Sequence, residues 1–235
     1  VFIELYGEKN GVRIAFGGAL LLGLASLFLQ QVMIEDEVPQ SREASTPLRL
    51  WQSMTPALKQ LLMSDTLIRF AEQIPYAFVV VWCIKMNGIT PVQFGILTTI
   101  EMTAAVLVYI PVAYIADRTT KKPFVVITFF NFTLFPLVLL FSHSFRAMVI
   151  AFFIRGMKEF GEPTRKALIM DLAPEDKRAG MFGLYYLIRD VIVSTAAFGG
   201  AFLWQISPEI NLLTATACGA AGTIYFWIFG KDLKG

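Results

Sequence analysis

The sequence predicts an all-α polytopic membrane protein, a helical bundle with about seven transmembrane helices. Three observations predict it. Apolar runs near the ~20 residues that a helix needs to cross a hydrocarbon core recur along the whole length. Charged residues are only 16% of the 235 and mean hydropathy is +0.61, whereas soluble domains carry roughly 25% charge. Basic residues gather in alternate short loops, as they do where topology follows the positive-inside rule. The same composition excludes other classes. There is no P-loop, no metal-ligand cluster and no G-x-S-x-G, so neither an enzyme nor a cofactor is expected. The basic residues form no patch for nucleic acid. Cys83 and Cys218 sit in apolar runs without metal or redox spacing and read as small buried hydrophobes.

Taken in order, residues 1–10 read as a polar tail and 11–34 as the first span, whose Gly17, Gly18 and Gly23 offer small packing surfaces. The opening is neither a basic n-region nor a signal peptide, and the chain is expected to begin inside a larger protein. Residues 35–65 form the longest polar stretch and read as a linker. Leu48, Leu50, Trp51, Leu58, Leu61 and Leu62 within it fit short amphipathic pieces at the membrane interface, or a soluble loop with two helical turns. Asp65-Thr66 offers an N-cap for the second span, 66–87, in which Arg69, Glu72 and Gln73 precede a kink at Pro75. The third span, 91–116, carries a lone Glu101 about 15 Å from its start, to be protonated or paired across helices. A basic turn, Asp117-Arg118-Thr-Thr-Lys121-Lys122-Pro123, leads to the fourth span, 124–141. The fifth is 147–170, the sixth 180–204 with adjacent Arg189 and Asp190 well inside it as candidates for structural pairs to other helices near the cytoplasmic end, and the seventh 212–230. Placing 35–65 in the cytoplasm collects Arg42, Arg49, Lys59, Arg118, Lys121, Lys122, Lys177, Arg178, Lys231 and Lys234 there. The C-terminus is then cytoplasmic too, and the cell (inner) membrane is the expected location.

The fifth span organises the rest. It carries Arg155, Lys158, Glu159, Glu162, Arg165 and Lys166. At 100° per residue, Arg155, Glu159, Glu162 and Lys166 fall within a wedge of about 60°. A charge at mid-bilayer costs ~2.5–3.5 kcal/mol on insertion scales, so the stripe must face protein, water or substrate. Two readings stay open. In one, Glu159 and Glu162 exchange protons or touch substrate; in the other, the pairs Arg155–Glu159 and Lys158–Glu162 only neutralise each other at i,i+4. With eight uncharged residues before Arg155, a cytoplasmic helix over 155–178 is the alternative to a span, but it would place Lys231 and Lys234 outside.

The turn Asp117-Arg118-Thr-Thr-Lys121-Lys122-Pro123 resembles the loop signature G-x-L-a-D-R-x-G-R-K-x of the major facilitator superfamily. Asp117, Arg118, Lys121 and Lys122 match, while Ala113 and Thr120 stand where glycines are usual. Arg155-Gly156 followed by Glu159, Gly161 and Pro163 resembles the charged tenth helix of drug-efflux members. The resemblance implies half of a 12-helix transporter: helix six to residue 34, the inter-bundle linker 35–65 and the C-terminal six-helix bundle 66–235. It implies a secondary active transporter moving a small organic solute, proton-coupled, with efflux favoured, whose partners are the N-terminal half, the lipid bilayer, the solute and protons. Asp117, Arg118, Lys121 and Lys122 would form a conformational latch, or simply a positive-inside anchor. In the inverted repeats of this family the first helix of each triplet lines the cavity. Those helices hold Arg69 and Glu72 in one triplet and Arg155, Lys158, Glu159 and Glu162 in the other, which with Glu101 are the substrate or proton-coupling candidates. The competing reading is a non-transporting scaffold or assembly protein on the same fold.

Overall fold

A computed structural model describes residues 2–33, 46–116 and 118–232, and among them the regular structure is helical. The chain divides into two units, Val1–Ala44 and Ser45–Gly235. The first holds α1 (Phe2–Met33), so the expected polar tail is helical, with a break at Gly7, whose φ of +76° is the left-handed region open to glycine. Its segment Lys9–Met33 is long and apolar enough to cross a membrane.

The second unit is a bundle of α2 (Pro47–Ser53), α3 (Pro56–Gln73), α4 (Val79–Val81), α5 (Pro91–Ala116), α6 (Lys122–Leu140), α7 (Phe145–Gly156), α8 (Glu162–Leu172), α9 (Arg178–Ile206) and α10 (Pro208–Phe229). Helix α3 starts well before the expected Asp65-Thr66 cap. Thr55 caps it, its hydroxyl accepting from the Leu58 N–H at 3.2 Å, with Pro56 in the first turn where a missing N–H costs nothing. Asp65 is instead a fully buried mid-helix residue. The helix therefore begins inside the stretch read as linker. Residues 34–45 of that stretch lie outside the described residues. Within α2, Leu50 is buried beside Gly180 while Leu48 and Trp51 are exposed, which is the two-sided pattern of an interfacial helix.

Pro75 ends α3 as the sequence predicts, and the chain continues through a 3-10 turn, α4 and a π turn at Trp82–Met86. Breaking a helix leaves carbonyls without their usual partners, which lipid cannot supply. Asn211 of α10 answers this, donating from Nδ2 to the carbonyls of Ile74 (3.2 Å) and Gly200 (2.8 Å). Pro111 lies inside α5, which continues unbroken through it.

Two apolar clusters lie at opposite ends of the bundle. One joins the starts of α3, α6 and α9 with α8 and the end of α10. The other joins α4, the start of α5, the end of α6, α7 and the start of α10. Because α7 belongs to one and α8 to the other, α7–α8 runs the length of the bundle, as the spanning reading of 147–170 requires. It is not one helix, however. A 3-10 turn at Met157–Glu159 and an irregular Gly161 divide it, so the single wedge expected for its charges does not form. Six other helices are long and apolar enough to span a membrane.

Close approach at Gly200 generates a stability prediction. A Cβ added there falls on the Ile74 carbonyl oxygen, far inside van der Waals contact, whereas one added at Gly183 of the same helix meets nothing within 4 Å. Gly200→Ala is expected to cost about 1–3 kcal/mol. Gly183→Ala should change stability by less than about 0.5 kcal/mol. Thermal unfolding of the two variants in detergent checks the contrast.

Candidate functional site: a buried ion-pair network

Most of the charges that sequence reasoning singles out within the spans meet in one place. Asp65, Arg69 and Glu72 recur on one face of α3 at i, i+4 and i+7. Glu101 comes from α5, Arg155 from α7, Lys158 from the 3-10 turn, Glu162 and Arg165 from α8, and Arg189 and Asp190 from α9. The break at 157–161 lets α7 and α8 send their charges to different partners. Arg155 turns to α5, its Nε 3.2 Å from Glu101 Oε1. Lys158 donates to Glu72 at 2.8 Å and lies 3.7 Å from Glu101. Arg69 donates to Glu72 at 2.8 Å and to Glu162 at 3.2 Å. Arg165 donates to Glu162 at 2.6 Å and to Asp65 at 2.5 Å. Arg189 reaches Asp65 at 3.3 Å and its neighbour Asp190 at 2.8 Å.

These tertiary partners replace the intrahelical pairs Arg155–Glu159 and Lys158–Glu162 entertained above. The physical reason is the 3-10 turn, which removes the α-helical register that i,i+4 contacts need. Glu101 takes the second of its two options, pairing across helices. Arg189 pairs between helices, tying α9 to α3 through Asp65, whereas Asp190 pairs with its own neighbour Arg189. Glu159, half-buried, makes no ion pair within 4 Å among the described residues.

Asp65 is the centre that sequence reasoning missed. Its Oδ2 accepts from Arg165, from Arg189 and from the Tyr185 hydroxyl at 3.0 Å. Its Oδ1 has no hydrogen-bond partner and faces Arg69 Nε, also unpartnered, at 3.8 Å. The signal was present in the spacing 65, 69, 72, which continues the polar face one turn further back. The network as a whole holds five carboxylates and five cations, so it is neutral, the condition under which charges persist away from water. It borders a small cavity lined by Glu72, Val79, Asn131, Phe132, Phe135, Arg155 and Lys158, with enclosed room for about one water-sized molecule.

Of the expected latch, Asp117 lies outside the described residues. Lys121 pairs through its ammonium with Asp171 at the end of α8, and the Lys121 and Lys122 N–H groups at the start of α6 donate to Asp232. Arg118 stacks on Tyr114, 4.2 Å from the ring centre. Asp171 and Asp232 are partners that no local motif announces.

Removing one member of a buried pair strands the other, at a cost of ~3–5 kcal/mol. Asp65→Asn takes one carboxylate from Arg165 and Arg189, which keep Glu162 and Asp190, and leaves the network one positive charge in excess, so it should lower thermal stability towards the lower end of that range. Adding Arg165→Gln restores charge balance, so the double variant should be less destabilised than the two single changes summed, a coupling that a double-mutant cycle reads directly.

Two comparisons with known proteins bear on identity. An uncharacterised MFS-type transporter of Methanocaldococcus jannaschii is 27% identical over 130 residues, covering 55% of this chain and 32% of that protein. The chain thus spans about a third of the length of the curated relative it matches. The family model described as Major Facilitator Superfamily matches residues 51–234, which takes in the bundle, the basic turn and every member of the ion-pair network. The chain belongs to the major facilitator superfamily, a family of membrane carriers rather than enzymes.

Proposed function

We propose that this chain is the C-terminal bundle of a secondary transporter, preceded by helix six (to residue 34) and by an inter-bundle linker that ends where α3 begins at Pro56 rather than at residue 65. It moves a small organic solute across the cell membrane by alternating access, coupled to protons, with efflux favoured over uptake. A second, N-terminal bundle supplies the facing wall of the cavity, and the linker and C-terminus are cytoplasmic. The observation that carries this reading is the neutral network of ten charges linking α3 with α7–α8, the first helices of the two three-helix groups. A scaffold has no use for so many charges away from water, since apolar packing of the same volume is as stable or more so.

The arrangement supports a mechanism. Arg69 lies among Asp65, Glu72 and Glu162 and can exchange one carboxylate for another with a small movement. Glu159 stands at the break between α7 and α8, beside the network and outside its pairs, where a proton can be taken and released as the cavity opens to one side. The Gly161-Glu162-Pro163 break is the joint about which α8 can turn. Lys121 and Lys122, with Asp117 and Arg118, hold the cytoplasmic turn in one conformation and release it in the other.

Proton-gradient-driven flux of the full-length protein in proteoliposomes, over a panel of dyes and small solutes, tests this. Glu159→Gln is expected to lose uphill movement at least tenfold while downhill flux persists. Wild-type behaviour in that variant removes Glu159 from coupling. If the folded protein moves no solute under any gradient, the scaffold reading replaces transport.

A further inference from the structure

Helix α2, just before the first span of the bundle, presents a surface that the transport reading does not use. It seats Leu50 in the apolar cluster, close against Gly180 in the first turn of α9. Thr55, just after it, donates through its hydroxyl to the Leu172 carbonyl at the end of α8, at 3.0 Å. Those contacts fix the depth of α2, level with the start of α3, the end of α8 and the start of α9. The spanning segments Pro56–Met86 and Glu175–Ile206 begin there, so α2 lies at the boundary between hydrocarbon and headgroups.

The face turned away from the bundle is apolar at its centre and basic at its edges. At 100° per residue, Leu48 stands nearly opposite Leu50, with Arg49 and Trp51 to its two sides. Leu48, Arg49 and Trp51 are all exposed. Lys59 of α3 lays its ammonium over the Trp51 ring, 4.9 Å from the centre. Residues 46–64 thus carry two cations and no acid, and the acids of the linker, Glu35, Asp36, Glu37 and Glu43, all precede them. An outward leucine and tryptophan gain nothing from water, whereas tryptophan and long cationic side chains both favour the headgroup level. The two cations select the charge of that layer, since each basic residue at a membrane surface strengthens binding to anionic lipid.

We propose that α2 is seated on an anionic lipid surface. Leu48 and Trp51 enter the headgroup boundary, and Arg49 and Lys59 hold the phosphate groups of acidic phospholipids. The contact does not depend on solute transport. Through Leu50 and Thr55 it ties the leaflet on the linker side to the place where α3, α8 and α9 meet.

The test uses the full-length protein in two settings. In nanodiscs of phosphatidylglycerol and phosphatidylcholine with brominated acyl chains, the fluorescence of Trp51 is the difference between wild type and Trp51→Phe, and it should be quenched. In detergent, native mass spectrometry should show phosphatidylglycerol retained saturably and in preference to phosphatidylcholine. Arg49→Gln and Lys59→Gln should each weaken that retention about fivefold, and together by more than about tenfold. Arg146→Gln, which removes an exposed cation at the other end of the bundle, should leave it unchanged. An unquenched Trp51 overturns the proposal, its face then lying in water or beneath the N-terminal bundle. Retention without preference for phosphatidylglycerol, or unchanged in the double variant, or lost equally in Arg146→Gln, overturns it as well. So does competition by glycerol 3-phosphate as strong as by the lipid, which would mark a site for soluble phosphates.

Discussion

Everything inside this bundle has to accommodate the carboxylate of Asp65. One of its oxygens takes hydrogen bonds from Arg165, Arg189 and Tyr185, which come from α8 and α9, while Asp65 itself sits in mid-α3 with no exposure to solvent. A charge in such a place is tolerable only with opposite charge and donors around it. The demand propagates outward. Two arginines on one carboxylate leave excess positive charge, which Glu162 and Asp190 balance. Glu162 in turn draws Arg69, and Arg69 draws Glu72. The chain of compensation runs on through Lys158 to Glu101 on α5, which Arg155 neutralises.

Backbone geometry serves this chain of charges. Were α7 and α8 a single straight helix, Arg155, Glu159, Glu162 and Lys166 would share one narrow face and repel or cancel one another locally. The 3-10 turn and Gly161 prevent that. Gly161 fits because its missing side chain leaves room for the Phe124 carbonyl, and its N–H is held by the Thr128 hydroxyl at 2.5 Å. Gly156 makes a similar close contact with the backbone of Glu101, the residue that Arg155 pairs with. Tight glycine packing thus brings opposite charges within reach of each other, the same use of small residues that lets membrane helices approach closely.

The network is balanced but not uniformly closed. Around Asp65 and Arg165 the bonds are short and buried, which makes that end rigid. Towards Arg69 there is slack: Asp65 Oδ1 and Arg69 Nε face each other at 3.8 Å without a bond, and Arg69 has three carboxylates to choose among. Arg155, paired with Glu101, borders the small cavity. Net charge stays balanced whichever partners are made. A rigid anchor at one end and exchangeable pairs at the other are what a carrier that alternates between conformations requires.

Much was legible in the sequence. Hydropathy and loop charge determined the class, the approximate spans and the presence of a charged crossing element, because transfer of apolar residues to lipid and exclusion of isolated charge from it are local, additive effects. The motif residues at 117–123 and 155–163 pointed to the superfamily that the match over 51–234 establishes. Which charges pair was not legible. Local spacing favoured Arg155 with Glu159 and Lys158 with Glu162, yet their partners lie on α5 and α3; Asp65, which resembles an N-cap by composition, is the hub. Pairing is decided by where helices cross and where α7–α8 breaks, and those follow from packing at Gly156, Gly161 and Gly200 across residues far apart in the chain. Burial of apolar surface is summed along the sequence, whereas the partner of a charge is chosen only in three dimensions.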